Sequence, residues 1–265
     1  RELEREGYVA LPLLEREIDR LRRIFRRAQD ALPADPNPRL SGFRVLVYGQ
    51  GRRRRSVQRA LARVLDPRLR DVFFDCRVVS ANLLLKNPAP APSEVPPHQD
   101  LSVVDERRGL DALTVWVPLV DVDRDSGGLG LVPRTHRVPA YFRAHDDPSP
   151  FRGFFESLSR DLMIVPKLRA GTAVVALART VHGSPGNRTD RARPAAAWVV
   201  VPRRARLLRY VRLSPTRVAV YRLEDDELDR LAPNERPPER CRAGEIEHEV
   251  VEVTRSEFER IARSG

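Results

Sequence analysis

A histidine and an aspartate stand either side of one residue at His98-Gln99-Asp100. In an extended segment, side chains two positions apart leave the backbone on the same side, so this imidazole and this carboxylate can address one point. Joined by an imidazole from a distant part of the chain, they would make a two-histidine, one-carboxylate set. Such a set occupies one face of an octahedral iron and leaves three positions for a co-substrate and dioxygen. The triplet is not specific by itself. The chain has five histidines, and a second such triplet, His145-Asp146-Asp147, runs into Pro148 with no strand before it. That one reads as a surface turn.

Stronger information surrounds His182. Residues 171–182, GTAVVALARTVH, read as a strand opened by Gly171 and ended by His182, followed by the polar turn Gly183-Ser184-Pro185-Gly186-Asn187-Arg188 and a returning strand over 193–201. This segment resembles the distal-histidine signature of the phytanoyl-CoA dioxygenase family, which reads close to HGS-x-x-N-x-[TS] and continues to an arginine. The resemblance extends to SEVPPHQD (93–100), LTVWVPLVDVD (113–123) and GGLGLVPRTHR (127–137). It spans roughly residues 73–202, with GYVALP near the start as a weaker echo.

The resemblance implies an iron(II) enzyme that uses 2-oxoglutarate and dioxygen, releases succinate and carbon dioxide, and hydroxylates an unactivated C–H bond of a small molecule. His98 and Asp100 match the proximal metal ligands, and His182 the distal one. Arg193, eleven residues after His182, matches the arginine that pairs with the far carboxylate of 2-oxoglutarate. A guanidinium suits that task because it binds a carboxylate bidentately and stays charged. Ser184 matches a hydroxyl on the same carboxylate, and Trp116 and Gln99 match residues lining the co-substrate pocket. Asn82 and Lys86, on the strand before the metal motif, could reach it, or face solvent as polar strand residues more often do. Arg188 and Arg191 compete with Arg193, because alternation puts Arg191 and Arg193 on one face and family spacing alone selects Arg193. A core aromatic and an ordinary turn residue are the other readings of Trp116 and Ser184. His136 reads as structural, since Arg134-Thr135 departs from the small residues the family carries there, and His248 reads as exposed. Related halogenases replace the carboxylate with a small residue; Asp100 favours hydroxylation. Desaturation, cyclisation and epoxidation use the same chemistry, and a catalytically silent jelly-roll binding protein is the alternative of another class.

These groups need a scaffold. Residues 7–14 read as a strand, 14–32 as an amphipathic helix, 43–48 as a strand and 56–65 as a short helix. Short apolar, β-branched runs follow at 72–85, 112–120, 128–132, 162–166, 172–178, 195–201, 206–213 and 217–222, separated by turn residues. Helices are expected at 150–160, 224–231 and 254–263. The expectation is one mainly-β domain over 1–265, a double-stranded β-helix or jelly roll. Helices over about 13–65 would precede a core over about 72–222, and a strand and helix over about 244–263 would close it. Side chains at strand ends would converge in its open mouth. The substrate lid is expected from 86–97 and 134–160, where Arg134, Arg137, Arg143 and Arg152 would suit an anionic substrate.

Bulk properties narrow the class. A 41% hydrophobic fraction can build a core. The net charge of +11 raises nucleic-acid binding. Yet only Lys86 and Lys167 among the 48 basic residues are lysine, and the arginines are spread along the chain apart from 52–55 and 203–212. That pattern fits GC-rich coding better than a phosphate-binding face, so no nucleic-acid partner is expected. Two distant cysteines, Cys76 and Cys241, form neither a disulfide framework nor a zinc motif. No apolar run spans a bilayer, and no secretory leader pattern is visible. A cytoplasmic protein with a small-molecule substrate and no membrane partner is expected; its oligomeric state is not legible.

Overall fold

The computed structural model describes all residues except 33–41, 47–50, 74, 140–141, 145–146, 232–234, 251 and 265. Val47 and Tyr48 of the expected 43–48 strand, and His145-Asp146 of the second triplet, lie outside the described residues. In chain order the elements are α1 (Glu2–Glu6), β1 (Tyr8–Leu11), α2 (Ile18–Asp30), β2 (Phe43–Val45), α3 (Gly51–Val72), β3 (Cys76–Lys86), β4 (Val95–His98), β5 (Leu113–Pro118), β6 (Gly130–Leu131), α4 (Phe155–Asp161), β7 (Ala173–Leu177), β8 (His182–Ser184), β9 (Arg193–Pro202), β10 (Leu207–Ser214), β11 (Arg217–Leu223), α5 (Asp225–Arg230), β12 (Arg242–Glu247) and α6 (Arg255–Arg263).

Six strands form the principal sheet in the order β1-β7-β5-β9-β3-β2, and β4-β8-β6 form a second, smaller sheet. Both are antiparallel. Packed face to face, they are the two walls of a jelly roll. The strands β10-β11-β12 make a third sheet beyond them.

Alternation along the principal sheet decides which side chains meet. One parity, Leu83 and Leu85 of β3, Val115 and Val117 of β5, Val175 of β7, and Trp198 and Val200 of β9, packs with α2 and α3 in the largest core cluster. The helices contribute the matching stripes Leu21, Phe25 and Ala28 from α2 and Leu61, Val64, Leu65 and Leu69 from α3, spaced three and four apart. The opposite parity faces the small sheet: Asn82 and Leu84, Thr114 and Trp116, Val174 and Ala176, Arg193, Ala195 and Ala197. Trp116, Val174, Ala176 and Ala195 pack there with Leu131 of the small sheet. Three alanines on this inner face leave room for a ligand.

Several expected elements differ. The expected strand 171–182 is two strands, β7 and β8, in different sheets. The chain turns between them at 178–180, where Thr180 Oγ1 donates to Gly7 O and Val181 N donates to Thr135 Oγ1. A continuous apolar run hides such a sheet-to-sheet crossing. No strand forms at 162–166; Ile164 makes a single bridge, exchanging hydrogen bonds with Leu131 at 2.9 Å. The helix expected at 56–65 runs over Gly51–Val72 and accommodates Pro67. Helix α1 was unexpected; its left-handed C-cap Gly7 has φ 84°, a conformation glycine adopts without strain. No described helix is long and apolar enough to cross a membrane.

Candidate metal centre and co-substrate pocket

In the β4–β8 pairing, His98 lies directly opposite His182, which brings the ring centroids to 4.4 Å. Asp100 follows β4, its N–H donating to Ala178 O at 2.9 Å where the chain leaves β7. The three side chains offer ligand atoms that all lie within 4.8 Å of one another. His98 Nε2 and His182 Nε2 stand 4.0 and 3.7 Å from Asp100 Oδ1.

Both imidazoles are oriented alike. His98 Nδ1 donates to Pro96 O and His182 Nδ1 to Thr180 O, each at 2.9 Å. A ring nitrogen that donates to a carbonyl fixes the tautomer and leaves the Nε2 lone pair for a metal. Burial, then the neighbouring His182, lowers the pKa of His98, the direction that favours the neutral imidazole a metal would need. Burial pushes the Asp100 carboxyl upward, but His182, His98 and the Thr114 hydrogen bond together outweigh it and hold the group ionised. Thr114 Oγ1 donates to Asp100 Oδ2, leaving Oδ1 toward the imidazoles. The donor set of two neutral nitrogens and one carboxylate, with an open side, fits iron(II).

Sequence reasoning passed over Thr114; the signal available was its place two residues before Trp116 on the same strand face. Thr114→Val removes the hydroxyl at nearly constant volume. It is expected to weaken metal binding about 10- to 100-fold, as loss of a carboxylate-orienting partner does. A competitive chelator titration reads this; parental affinity in the variant would show that Thr114 does not orient the ligand.

Two cavities meet at the triad, both lined by Asn82, His98, Asp100 and Thr114. The inner one, about 290 Å³, is walled by Trp116, Ser184 and Arg193. The outer one, about 500 Å³, is lined by Gln99, Arg143, Phe151 and Leu228 among others.

Arg193 is the decisive group of the inner pocket. It is 2% exposed, its Nε and Nη1 have no hydrogen-bond partner among the described residues, and its guanidinium lies 5.5 Å from the Trp116 ring centroid. Burial pulls its pKa down to about 9, which leaves it charged at neutral pH. A buried charge without a counter-charge is costly. Arg188 and Arg191 are exposed, so burial separates the three arginines where periodicity could not. Ser184 lies in the same pocket.

Asn82 stands at the junction of the two cavities with Oδ1 buried and without a hydrogen-bond partner among the described residues. Gln99 faces the outer chamber, and its Nε2 donates to Arg179 O at 2.6 Å. Lys86 is fully buried beside the inner pocket, donating to the carbonyls of Ser184 and Pro185. The signature's Asn187 shapes the turn: its Nδ2 donates to Asn87 O and Arg191 O, and its Oδ1 accepts from Thr189 N and Thr189 Oγ1.

The lid arginines need correction. Arg134 binds Glu6 and Ala262 O, Arg137 binds Arg5 O, and Arg152 binds Glu252. They tie the chain ends to the jelly roll. Arg143 does line the outer chamber, but Glu106 pairs with it at 2.5 Å. His136 is structural, its Nε2 bonded to Glu4 O at 3.1 Å. His248 is half-buried, edge-on to Phe142 at 5.0 Å, because the chain beyond β12 folds back on that ring.

Two packed antiparallel sheets with a His–Asp–His set between them define a jelly-roll metal-centre protein. The chain matches the model of the phytanoyl-CoA dioxygenase (PhyH) family over residues 3–195 and belongs to that family. No curated protein sequence matches the chain. Among solved structures it is similar to SnoN, a non-haem α-ketoglutarate-dependent epimerase from nogalamycin biosynthesis. The identity is 25%, covering 78% of this chain and 80% of that one, with a TM-score of 0.53. SnoK, a carbocyclase from the same biosynthesis, is 21% identical over 90% of this chain and 91% of its own, with a TM-score of 0.55. EctD from S. alaskensis, crystallised with 2-oxoglutarate and 5-hydroxyectoine, is 22% identical over 78% and 76%, with a TM-score of 0.54. SnoK and EctD, at these identities, share the fold.

Proposed function

We propose that this chain is a single catalytic domain, an iron(II)- and 2-oxoglutarate-dependent oxygenase that hydroxylates an unactivated C–H bond of a small molecule. The observation that carries the reading is Arg193, a buried guanidinium without a counter-charge among the described residues, in the pocket that opens onto His98, Asp100 and His182. A dicarboxylate spanning from the metal to Arg193 would neutralise it.

His98, Asp100 and His182 hold the metal. Arg193 and Ser184 take the far carboxylate, Trp116 forms the flat wall beside it, and Asn82 faces the junction. Gln99 borders the chamber left for the substrate. When bound, iron and 2-oxoglutarate together supply oxidative decarboxylation and an oxidant able to break a C–H bond. The chain positions the two partners, and its inner face excludes water. The likeness to an epimerase supports a second reading of the same chemistry, in which the activated substrate carbon changes configuration or closes a ring rather than gaining a hydroxyl.

The test needs no substrate. Iron(II) and 2-oxoglutarate added without oxygen are expected to give the weak visible charge-transfer band of the chelate, and His182→Ala to remove it. Folded, metal-loaded parent protein without that band would overturn the proposal in favour of a silent jelly-roll binding protein.

A further inference from the structure

Lys86 ends β3 opposite Arg193 in the β3–β9 register, and it is 0% exposed. Directly opposed like charges destabilise a sheet, and removing both from water adds to the cost. A lysine kept here against both penalties needs a compensating role. Its Nζ donates to Ser184 O at 3.4 Å and to Pro185 O, so it grips the turn that carries the Ser184 hydroxyl. The turn at Gly127, with φ 74°, closes over its stem: a Cβ there would stand 3.0 Å from Lys86 Cδ and 2.9 Å from Pro185 O. The side chain therefore has no other place to go. The charged groups acting on it are Arg193 from β9 and Glu94 from the segment before β4. Burial first, then Arg193, lower its pKa to about 7, with Glu94 opposing.

We infer that Lys86 is a positioning residue for the far carboxylate of 2-oxoglutarate, locking the Ser184 backbone and adding a second positive charge beside Arg193. This rests on the co-substrate site proposed above. A bound dianion favours the charged lysine, so binding takes up a proton wherever the free protein holds Lys86 neutral. Affinity is then greatest below pH 7 and falls as pH rises through it.

The experiment is an anaerobic titration of 2-oxoglutarate into the iron(II)-saturated protein between pH 6 and 8, where Arg193 stays charged. Saturating metal holds both imidazoles. The dissociation constant of the parent is expected to rise about fivefold to tenfold across this window, the change a single group near 7 allows. Lys86→Met is expected to bind about tenfold more weakly at pH 6, with a flat profile and iron affinity unchanged. A flat parental profile, or a variant with parental affinity and profile, overturns the inference while leaving the co-substrate site standing. If Lys86→Met does not fold, the parental profile decides. A parent that binds no 2-oxoglutarate at all overturns both.

Discussion

Replacing Arg193 by methionine is expected to abolish measurable 2-oxoglutarate binding while the protein becomes no less stable. The two halves of this result have one origin. In the free protein the guanidinium is buried with Nε and Nη1 unpartnered, and such a group costs folding free energy. Its depressed pKa, about 9, expresses the same cost, since the folded state holds the charged form less well than the unfolded chain does. At neutral pH an apolar side chain of similar length removes that penalty. With the dicarboxylate present, the sign reverses. The pair would be a desolvated, bidentate ion pair, and losing one partner of such a pair costs about 3–5 kcal/mol, a weakening of roughly two to four orders of magnitude. Iron affinity should stay within about threefold, because Arg193 does not touch the ligand atoms. Calorimetric titration of 2-oxoglutarate into the metal-loaded variant, beside thermal melts of both apo-proteins, checks this. A variant that binds the co-substrate like its parent would sink the assignment, and so would one that melts far below it, since Arg193 would then be a structural cation.

The arginine also shows where sequence reading reaches and where it stops. Alternation over 193–201 groups Arg193, Ala195 and Ala197 on one face of β9, and the structure turns that face inward. Alternation cannot say that Arg191 lies beyond the end of that strand in water, because strand ends are set by pairing, here Lys86 with Arg193. The clustering of the candidate metal set was legible for a related reason: His98 and Asp100 are two residues apart in sequence, and the turn after His182 carries its own hydrogen-bonded Asn187. What the chain could not disclose are contacts between distant segments. Thr114 reads as one β-former among many until the Asp100 carboxylate is found beside it. Lys86 reads as a strand residue that could reach the pocket or face solvent, until the Gly127 turn is found against its stem. The run 171–182 reads as one strand because apolarity is continuous across a change of sheet. Arg134, Arg137 and Arg152 looked like a substrate lid because a charge pattern does not name its partner, and Glu6 and Glu252 lie more than a hundred residues, or exactly one hundred, away in the chain.

Glu106→Ala is expected to lower stability by about 3–5 kcal/mol, the cost of breaking a buried ion pair from one side. Glu106 and Arg143 are 1% and 8% exposed at their side chains, with two carboxylate–guanidinium contacts at 2.8 and 2.5 Å. The same guanidinium donates its Nε to the backbone carbonyl of Asp100 at 2.5 Å. Arg143 N–H in turn donates to Ser102 Oγ at 3.1 Å, so the segment after Asp100 is held at several points. A loss of this size in a chain of this length corresponds to a melting point lower by roughly 6–20 °C. The double variant Arg143→Met, Glu106→Leu separates stability from site geometry. Replacing a buried ion pair by apolar side chains of similar volume is often close to neutral for folding, so the double variant is expected to recover much of the melting point. It has nonetheless lost the donor that fixes the Asp100 carbonyl, and its metal affinity should stay reduced about tenfold. Melts and chelator titrations on the single and double variants give both quantities. Recovery of metal affinity together with stability would show that the pair acts on the fold alone; a single variant that melts within a few degrees of the parent would show that the buried carboxylate does not support Arg143.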